Sequence, residues 1–182
     1  MIFTSTKIQG VLLIDLEKRQ DERGYFARAW CSKEFSDQGL PNFVQTNMSL
    51  CRARGTVRGL HWQAEPHGEA KFMRCIRGAI FDVAVDVRPG SPTFGKWVGV
   101  ELSSENRRAV FIPEGCAHAY QALTDDAEVI YSASRAYAPG SERGVRWNDP
   151  AFNIEWPIAE VIVSDKDRAW PDFKMPSLAA AR

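Results

Sequence analysis

The chain has 182 residues, 45% hydrophobic and 25% charged, with 23 basic residues balancing 23 acidic ones. That size and mix fit one folded domain over residues 1–182 with a substantial core, and they exclude disordered and collagen-like classes. A net charge of zero supplies no global field for nucleic acid, so any anion site has to come from a local cluster. No apolar run reaches the roughly 18 residues of a membrane span. The N-terminal MIFTSTKIQGVLLIDLEKRQDERG lacks the basic start, apolar run and small-residue cleavage site of a signal peptide. Cys31, Cys51, Cys75 and Cys116 have no CxxC spacing and read as reduced thiols of a cytoplasmic protein.

In chain order, IQGVLLIDL (8–16) is predicted as an opening strand, followed by a charged turn, RQDERGYF, hinged at Gly24. Ser32, Glu34 and Phe35 predict a short helix over 32–38, ended by Gly39 and Pro41. NFVQTNMSL (42–50) alternates. Phe43, Gln45, Asn47 and Ser49 share one face, polar enough to line a wet pocket. TVRGLHWQ (56–63) puts Arg58, Leu60 and Trp62 on one side and Val57, Gly59, His61 and Gln63 on the other. Strands are predicted at 71–78 and 79–88, joined tightly at Gly78, then at 96–103, 108–113, 118–123 and 127–137. Short strands with turn signals every 8 to 12 residues predict an all-β sandwich or barrel. Ser164-Asp165-Lys166-Asp167 reads as the N-cap of a short late helix.

Two stretches carry chemistry: VRGLHWQAEPHGEAKFMRCIRG (57–78) and FIPEGCAHAY (111–120). In the second, Pro113-x-Gly115-x-x-His118 turns the chain sharply and throws an imidazole inward. In metal-binding barrels of the cupin type the first would read His-x-His, then Glu, then Gly. Here Gln63 stands for the second histidine and Lys71 for the glutamate. An ammonium where an anionic ligand belongs repels a divalent ion, so no metal is expected and only His61 and His118 remain as possible ligands.

His61 is either a satisfied core histidine or a base near neutral pH, if a carboxylate fixes its tautomer. His118 has the same two readings, and His67 falls in a surface loop. Lys71 is either a solvated edge residue or, by its register with Gly78, an inward ammonium able to stabilise an oxyanion. Tyr131 and Tyr137, six residues apart, share a face if the strand is unbroken. They are either core aromatics or phenols that reach a pocket. Arg23, Arg58, Arg74 and Lys166 are either a local anion site or scattered solvated charges.

The strings DERGYF, VQTNMS, VRGLHWQ, AKFMRCIRGAIFDVAVDVR, SPTFGKWVGVELS, FIPEGCAHAY, AEVIYSAS, YAPGSERGVRWNDP and SDKDRAWP run from about residue 8 to residue 171. In that order and spacing, the chain resembles the dTDP-4-dehydrorhamnose 3,5-epimerase family of the cupin superfamily. The resemblance implies a double-stranded β-helix, or jelly-roll, barrel with a few short helices. It implies a homodimer in which part of each site is completed by the partner. It also implies a nucleoside-diphosphate-4-keto-6-deoxyhexose substrate and neither metal nor redox cofactor. By motif position His61 looks like the general base, Asp167 its paired carboxylate, Tyr131 the proton donor on the other face, and Lys71 a neighbour of the C4 oxygen. Arg23, Gln45, Asn47, Arg58, His118, Glu142 and Lys166 match the family's substrate and diphosphate contacts, and Tyr137 is carried with them.

One departure stands out. The family commonly has a glutamate near the nucleotide base where this chain has Arg28, which leaves open the nucleotide (dTDP, GDP, CDP or UDP). HAYQAL also differs from the commoner HGF-type string. The expected activity is inversion of C3 and C5 by proton removal and return. The alternatives are inversion of one carbon, a GDP- or CDP-linked sugar, a keto-sugar isomerase, or a non-catalytic sugar-nucleotide binding module.

Overall fold

The computed structural model describes residues 1–174. Its first strands are β1 (Ile2–Ser5), β2 (Leu12–Asp15), β3 (Arg19–Asp21), β4 (Gly24–Phe26), β5 (Gln45–Cys51), β6 (Thr56–Gln63) and β7 (Lys71–Arg77). The rest are β8 (Ala79–Asp86), β9 (Trp97–Ser103), β10 (Ala109–Ile112), β11 (Cys116–Ala122), β12 (Ala127–Ala133), β13 (Glu142–Gly144) and β14 (Ile162–Val163). Helices α1 (Ser32–Asp37) and α2 (Asp165–Arg168) are short.

Two antiparallel sheets build the body. The first is ordered β1-β2-β10-β7-β12-β5 and the second β13-β6-β11-β8-β9, with β14 added parallel to β6. This is the jelly roll that the family resemblance implies, within the sandwich-or-barrel class that the strand spacing predicts. Alternation decides which side chains meet between the sheets. Met73, Cys75, Val110, Ile112 and Val129 of the first sheet pack with Ile80, Ala84, Leu102 and Tyr120 of the second. The outer faces are covered as well. Val83, Val85, Ala117 and Ala119 lie under Val145, Phe152, Ile154 and Trp156. Phe72 and Phe111 lie under α1, whose Phe35 makes edge contacts with Phe3, Phe43 and Phe72 at centroid distances of 5.5, 5.6 and 5.1 Å. Burying one such ring contributes about 2–3 kcal/mol, which is how a six-residue helix is held at all.

Several elements differ from the sequence expectation. The turn around Gly24 is a two-stranded hairpin, β3–β4. The opening strand is only Leu12–Asp15, because residues 6–11 turn so that β1 can pair back on β2. The strand expected to reach residue 137 ends at Ala133. Tyr137 therefore lies in the following loop, 57% exposed, and shares no strand face with Tyr131. Cys31, Cys51, Cys75 and Cys116 are free thiols. Burial pushes Cys75 up to about 11 and Cys116 up to about 12.

Candidate active site

Strand β6 carries the site's central irregularity. Its pairing with β11 runs His118↔His61 and then Tyr120↔Arg58, so three steps on β6 match two on β11. The extra residue is a β-bulge. It overturns the regular alternation expected for 56–63, because Arg58 and His61, three apart, line one pocket. Gly59 is the residue that permits it. Its φ is +116°, and a Cβ there would sit 2.5 Å from the His118 carbonyl oxygen. Gln63, expected in the pocket, instead ties down the loop after β12. Its Oε1 accepts from Ala138 N (2.8 Å) and Ser141 Oγ (3.0 Å), and its Nε2 donates to the His67 carbonyl (3.2 Å).

The pocket, about 310 Å³, is lined by His61 and Arg58 from β6, His118 and Tyr120 from β11, Lys71 from β7 and Tyr131 from β12. Ser49 of β5 and Ser164, Lys166 and Asp167 at α2 complete it. His61 Nε2–H donates to Asp167 Oδ1 at 2.6 Å, which leaves Nδ1 as the ring nitrogen free for a ligand. Asp167 is held from several sides: Gly59 N–H donates to its Oδ2 (3.3 Å), and its own N–H donates to the cap Ser164 Oγ (3.1 Å). Burial works to raise the Asp167 carboxyl, but the hydrogen bond and charge of His61 outweigh it and hold the group below its ordinary value. Trp170 stands edge-on to the imidazole with centroids 6.1 Å apart. It packs against Gly144, where a Cβ would fall 2.3 Å from the indole.

A second imidazole–carboxylate pair sits deeper. His118 Nε2–H donates to Asp82 Oδ2 at 2.8 Å, both residues buried. Sequence reasoning passed over Asp82, one of two aspartates alternating with valines on β8. The signal was that β8 is apolar on its outer side too, so its aspartates cannot be solvent-facing.

Tyr131 enters from the opposite sheet. Burial raises its phenol above the ordinary value, and the nearby negative charge of Glu69 adds to this. Lys71 Nζ donates to Glu69 Oε1. Lys166 Nζ donates to Glu142 Oε2 at 2.6 Å at the mouth. Arg58 donates to Cys51 Sγ (3.4 Å) and the Leu50 carbonyl (3.1 Å), neither of them an anion. Gln45 and Asn47 continue the Ser49 face of β5. Gln45 Oε1 accepts from Tyr137 N (3.2 Å) and its Nε2 donates to Asn47 Oδ1 (3.1 Å).

Three expected contacts lie elsewhere in the chain. Arg23 is at the β3–β4 hairpin, paired with Asp21 (2.6 Å) and 85% exposed at its side chain. Arg28 pairs with Glu34 (2.7 Å). Arg74 points away from the pocket, over the Phe72 ring at 5.7 Å, and donates to the Ala29 carbonyl (3.4 Å). The four-residue anion cluster of the sequence reading therefore does not assemble, because alternation sends Arg74 outward.

A jelly-roll pocket with an imidazole–carboxylate pair on one wall, a phenol on the other and a lysine between them defines an acid–base site for chemistry beside a carbonyl. Residues 5–175 match the family described as dTDP-4-dehydrorhamnose 3,5-epimerase, and the chain belongs to that family. It is 47% identical over 177 residues to the dTDP-4-dehydrorhamnose 3,5-epimerase of Methanothermobacter thermautotrophicus, covering 94% of each chain. It superposes on the crystal structure of that enzyme from Elizabethkingia anophelis with a TM-score of 0.92 at 39% identity, covering 95% of this chain and 96% of that one. A dTDP-6-deoxy-D-glucose-3,5-epimerase from Legionella pneumophila, in complex with dTDP-4-keto-L-rhamnose, gives a TM-score of 0.86 at 36% identity, covering 96% and 99%.

Proposed function

We propose that this chain is an epimerase that inverts C3 and C5 of a dTDP-linked 4-keto-6-deoxyhexose, with His61 as base, Asp167 as its carboxylate, Tyr131 as acid and Lys71 at the ketone oxygen. One observation carries the assignment of roles. His61 on β6 and Tyr131 on β12 reach a single pocket from different sheets. Inversion needs a proton taken from one side of a carbon and another delivered to the opposite side, and two walls provide this.

The chemistry follows from the groups present. A C4 ketone acidifies the protons on C3 and C5, because each resulting carbanion delocalises onto the C4 oxygen. The Lys71 ammonium offsets that charge. His61 Nδ1 takes the proton, and the imidazolium formed is stabilised by Asp167 through Nε2–H. Tyr131 then delivers its proton from the other wall. Arg58, the pocket's cation without a carboxylate among the described residues, is placed for an anionic part of the substrate, with Lys166 and Glu142 at the entrance.

The reading includes a homodimer with shared sites in the cytoplasm. Arg23 and Arg28 lie outside their own chain's pocket, beside exposed Phe26 and Trp30 (70% and 45%). This reading assigns those exposed arginines to a partner's site. No helix of the described residues is long and apolar enough to cross a membrane.

The test is incubation with dTDP-4-keto-6-deoxyglucose in deuterated water. Deuterium at both C3 and C5 is expected. Label at one carbon means single inversion, and label at neither, with any nucleotide, rejects the enzyme reading.

A further inference from the structure

The pocket is built from pairs of a nitrogen group and a carboxylate. His61 has Asp167, His118 has Asp82, Lys166 has Glu142, and Lys71 has Glu69. The last partner, like Asp82, is one that motif and spacing did not single out. Glu69 stands two residues before Lys71, so on an extended chain the two side chains leave on the same side. Both are withdrawn from water, with side-chain exposures of 14% and 13%. The β7–β12 register, Ala133↔Lys71 and Tyr131↔Met73, places Lys71 and Tyr131 as diagonal neighbours on one face.

An ammonium on a four-carbon stem is a mobile donor, and it stabilises an oxyanion well only if it already stands where the charge will form. One of its three N–H bonds is taken by Glu69, which leaves the other two for a ligand. Resting on the epimerase reading above, we propose that Glu69 is a positioning residue that holds the Lys71 ammonium at the place of the ketone oxygen. The oxyanion side of the site is then held by a carboxylate, as the base side is. Glu69 also brings a negative charge to the phenol that returns the proton. The charged and titratable groups around that phenol are Glu69 just before β7, Lys71 of β7, Arg58, His61, His118 and Tyr120 from the facing sheet, and Lys166 and Asp167 from α2. Of these, Glu69 is the anion that raises the phenol.

Two substitutions separate position from charge. Glu69→Ala releases Lys71, and kcat is expected to fall about tenfold or more with KM changed little. Glu69→Gln keeps a hydrogen-bond acceptor at the same reach and is expected to recover most of that loss. With its charge gone, Tyr131 should ionise at lower pH. That shift is read without turnover, as the tyrosinate absorbance difference between Glu69→Gln and Glu69→Gln/Tyr131→Phe, set against the same difference in the parent. An alanine variant with parental kcat, or a Tyr131 titration unmoved by Glu69→Gln, overturns the proposal. A parent protein that exchanges no deuterium at C3 or C5 rejects the epimerase reading instead. The Tyr131 titration still decides the electrostatic action of Glu69 in that case.

Discussion

Arg58 and His61 point into the same pocket although they are three residues apart on one strand, because β6 carries one residue more than the stretch of β11 it pairs with. The bulge brings the free guanidinium beside the base and places the Gly59 N–H on Asp167. Gly59→Ala should therefore be destructive. It puts an L side chain at a φ of +116° and a Cβ 2.5 Å from a backbone oxygen that cannot retreat. We expect a loss of about 3 kcal/mol or more, read as the shift in a urea midpoint, with activity lost in whatever protein still folds. Parental stability would mean that the strand passes this point without the bulge.

The phenol of Tyr131 sits above its ordinary value, through burial first and the charge of Glu69 second. It therefore keeps its proton across the neutral and mildly alkaline range. The alkaline limb of kcat should lie above the ordinary phenol value of about 10. Tyr131→Phe removes the returning acid and leaves the base. Net inversion should fall about 10²-fold or more, while exchange of substrate protons with deuterated water falls less, because His61 can still remove and replace a proton on its own side. Equal losses of exchange and inversion would place Tyr131 outside the return step.

Much of this was legible in the residues, and the parts that were not have separate physical causes. Period-two alternation located β5 to β12 to within a few residues, and Ser164 announced α2. His61, Lys71, Tyr131 and Asp167, assigned by motif, converge on one pocket. What alternation cannot report is its own interruption. The extra residue in β6 put Arg58 on the wrong side, and the end of β12 at Ala133 separated Tyr137 from Tyr131. Glu69, two residues before Lys71, was open to local spacing and was missed, whereas Asp82 was passed over for another reason. A carboxylate's partner across a barrel is fixed by sheet order, and the β11–β8 pairing that sets Ala84 opposite His118 cannot be read from local sequence.

Asp86 shows the same blindness in a structural role. Fully buried, it accepts from Arg88 Nε and Nη2 (2.9 and 2.7 Å), Ser91 Oγ (2.5 Å) and Thr93 Oγ1 (2.5 Å), and so closes the loop between β8 and β9. Burial alone would raise its carboxyl. The Arg88, Ser91 and Thr93 hydrogen bonds outweigh burial and hold it far below the ordinary value. Asp86→Ala, which leaves Arg88 and two hydroxyls without their acceptor, should cost about 3 kcal/mol. A depressed folded-state carboxyl stabilises fully above its unfolded value of about 3.9 and loses that contribution as pH falls toward the folded value. The stability gap between parent and Asp86→Asn should therefore be constant from neutral pH to about pH 5 and narrow below about pH 4. A gap that widens on acidification would contradict the assignment.

Arg23 offers the most direct check on shared sites. It is 85% exposed at its side chain, on a hairpin outside its own chain's pocket. If it acts at all, it acts on a neighbouring copy. Arg23→Ala and His61→Ala should each be nearly inactive alone. Refolding the two together in equal amounts makes half of the dimers mixed. In each mixed dimer one site joins an intact pocket to an intact hairpin, and the other combines both lesions. Activity should return to about a quarter of the parent value. A mixture no more active than its components would place Arg23 in its own chain's site, or outside any site. A parent protein that sediments as a monomer would remove the shared site altogether.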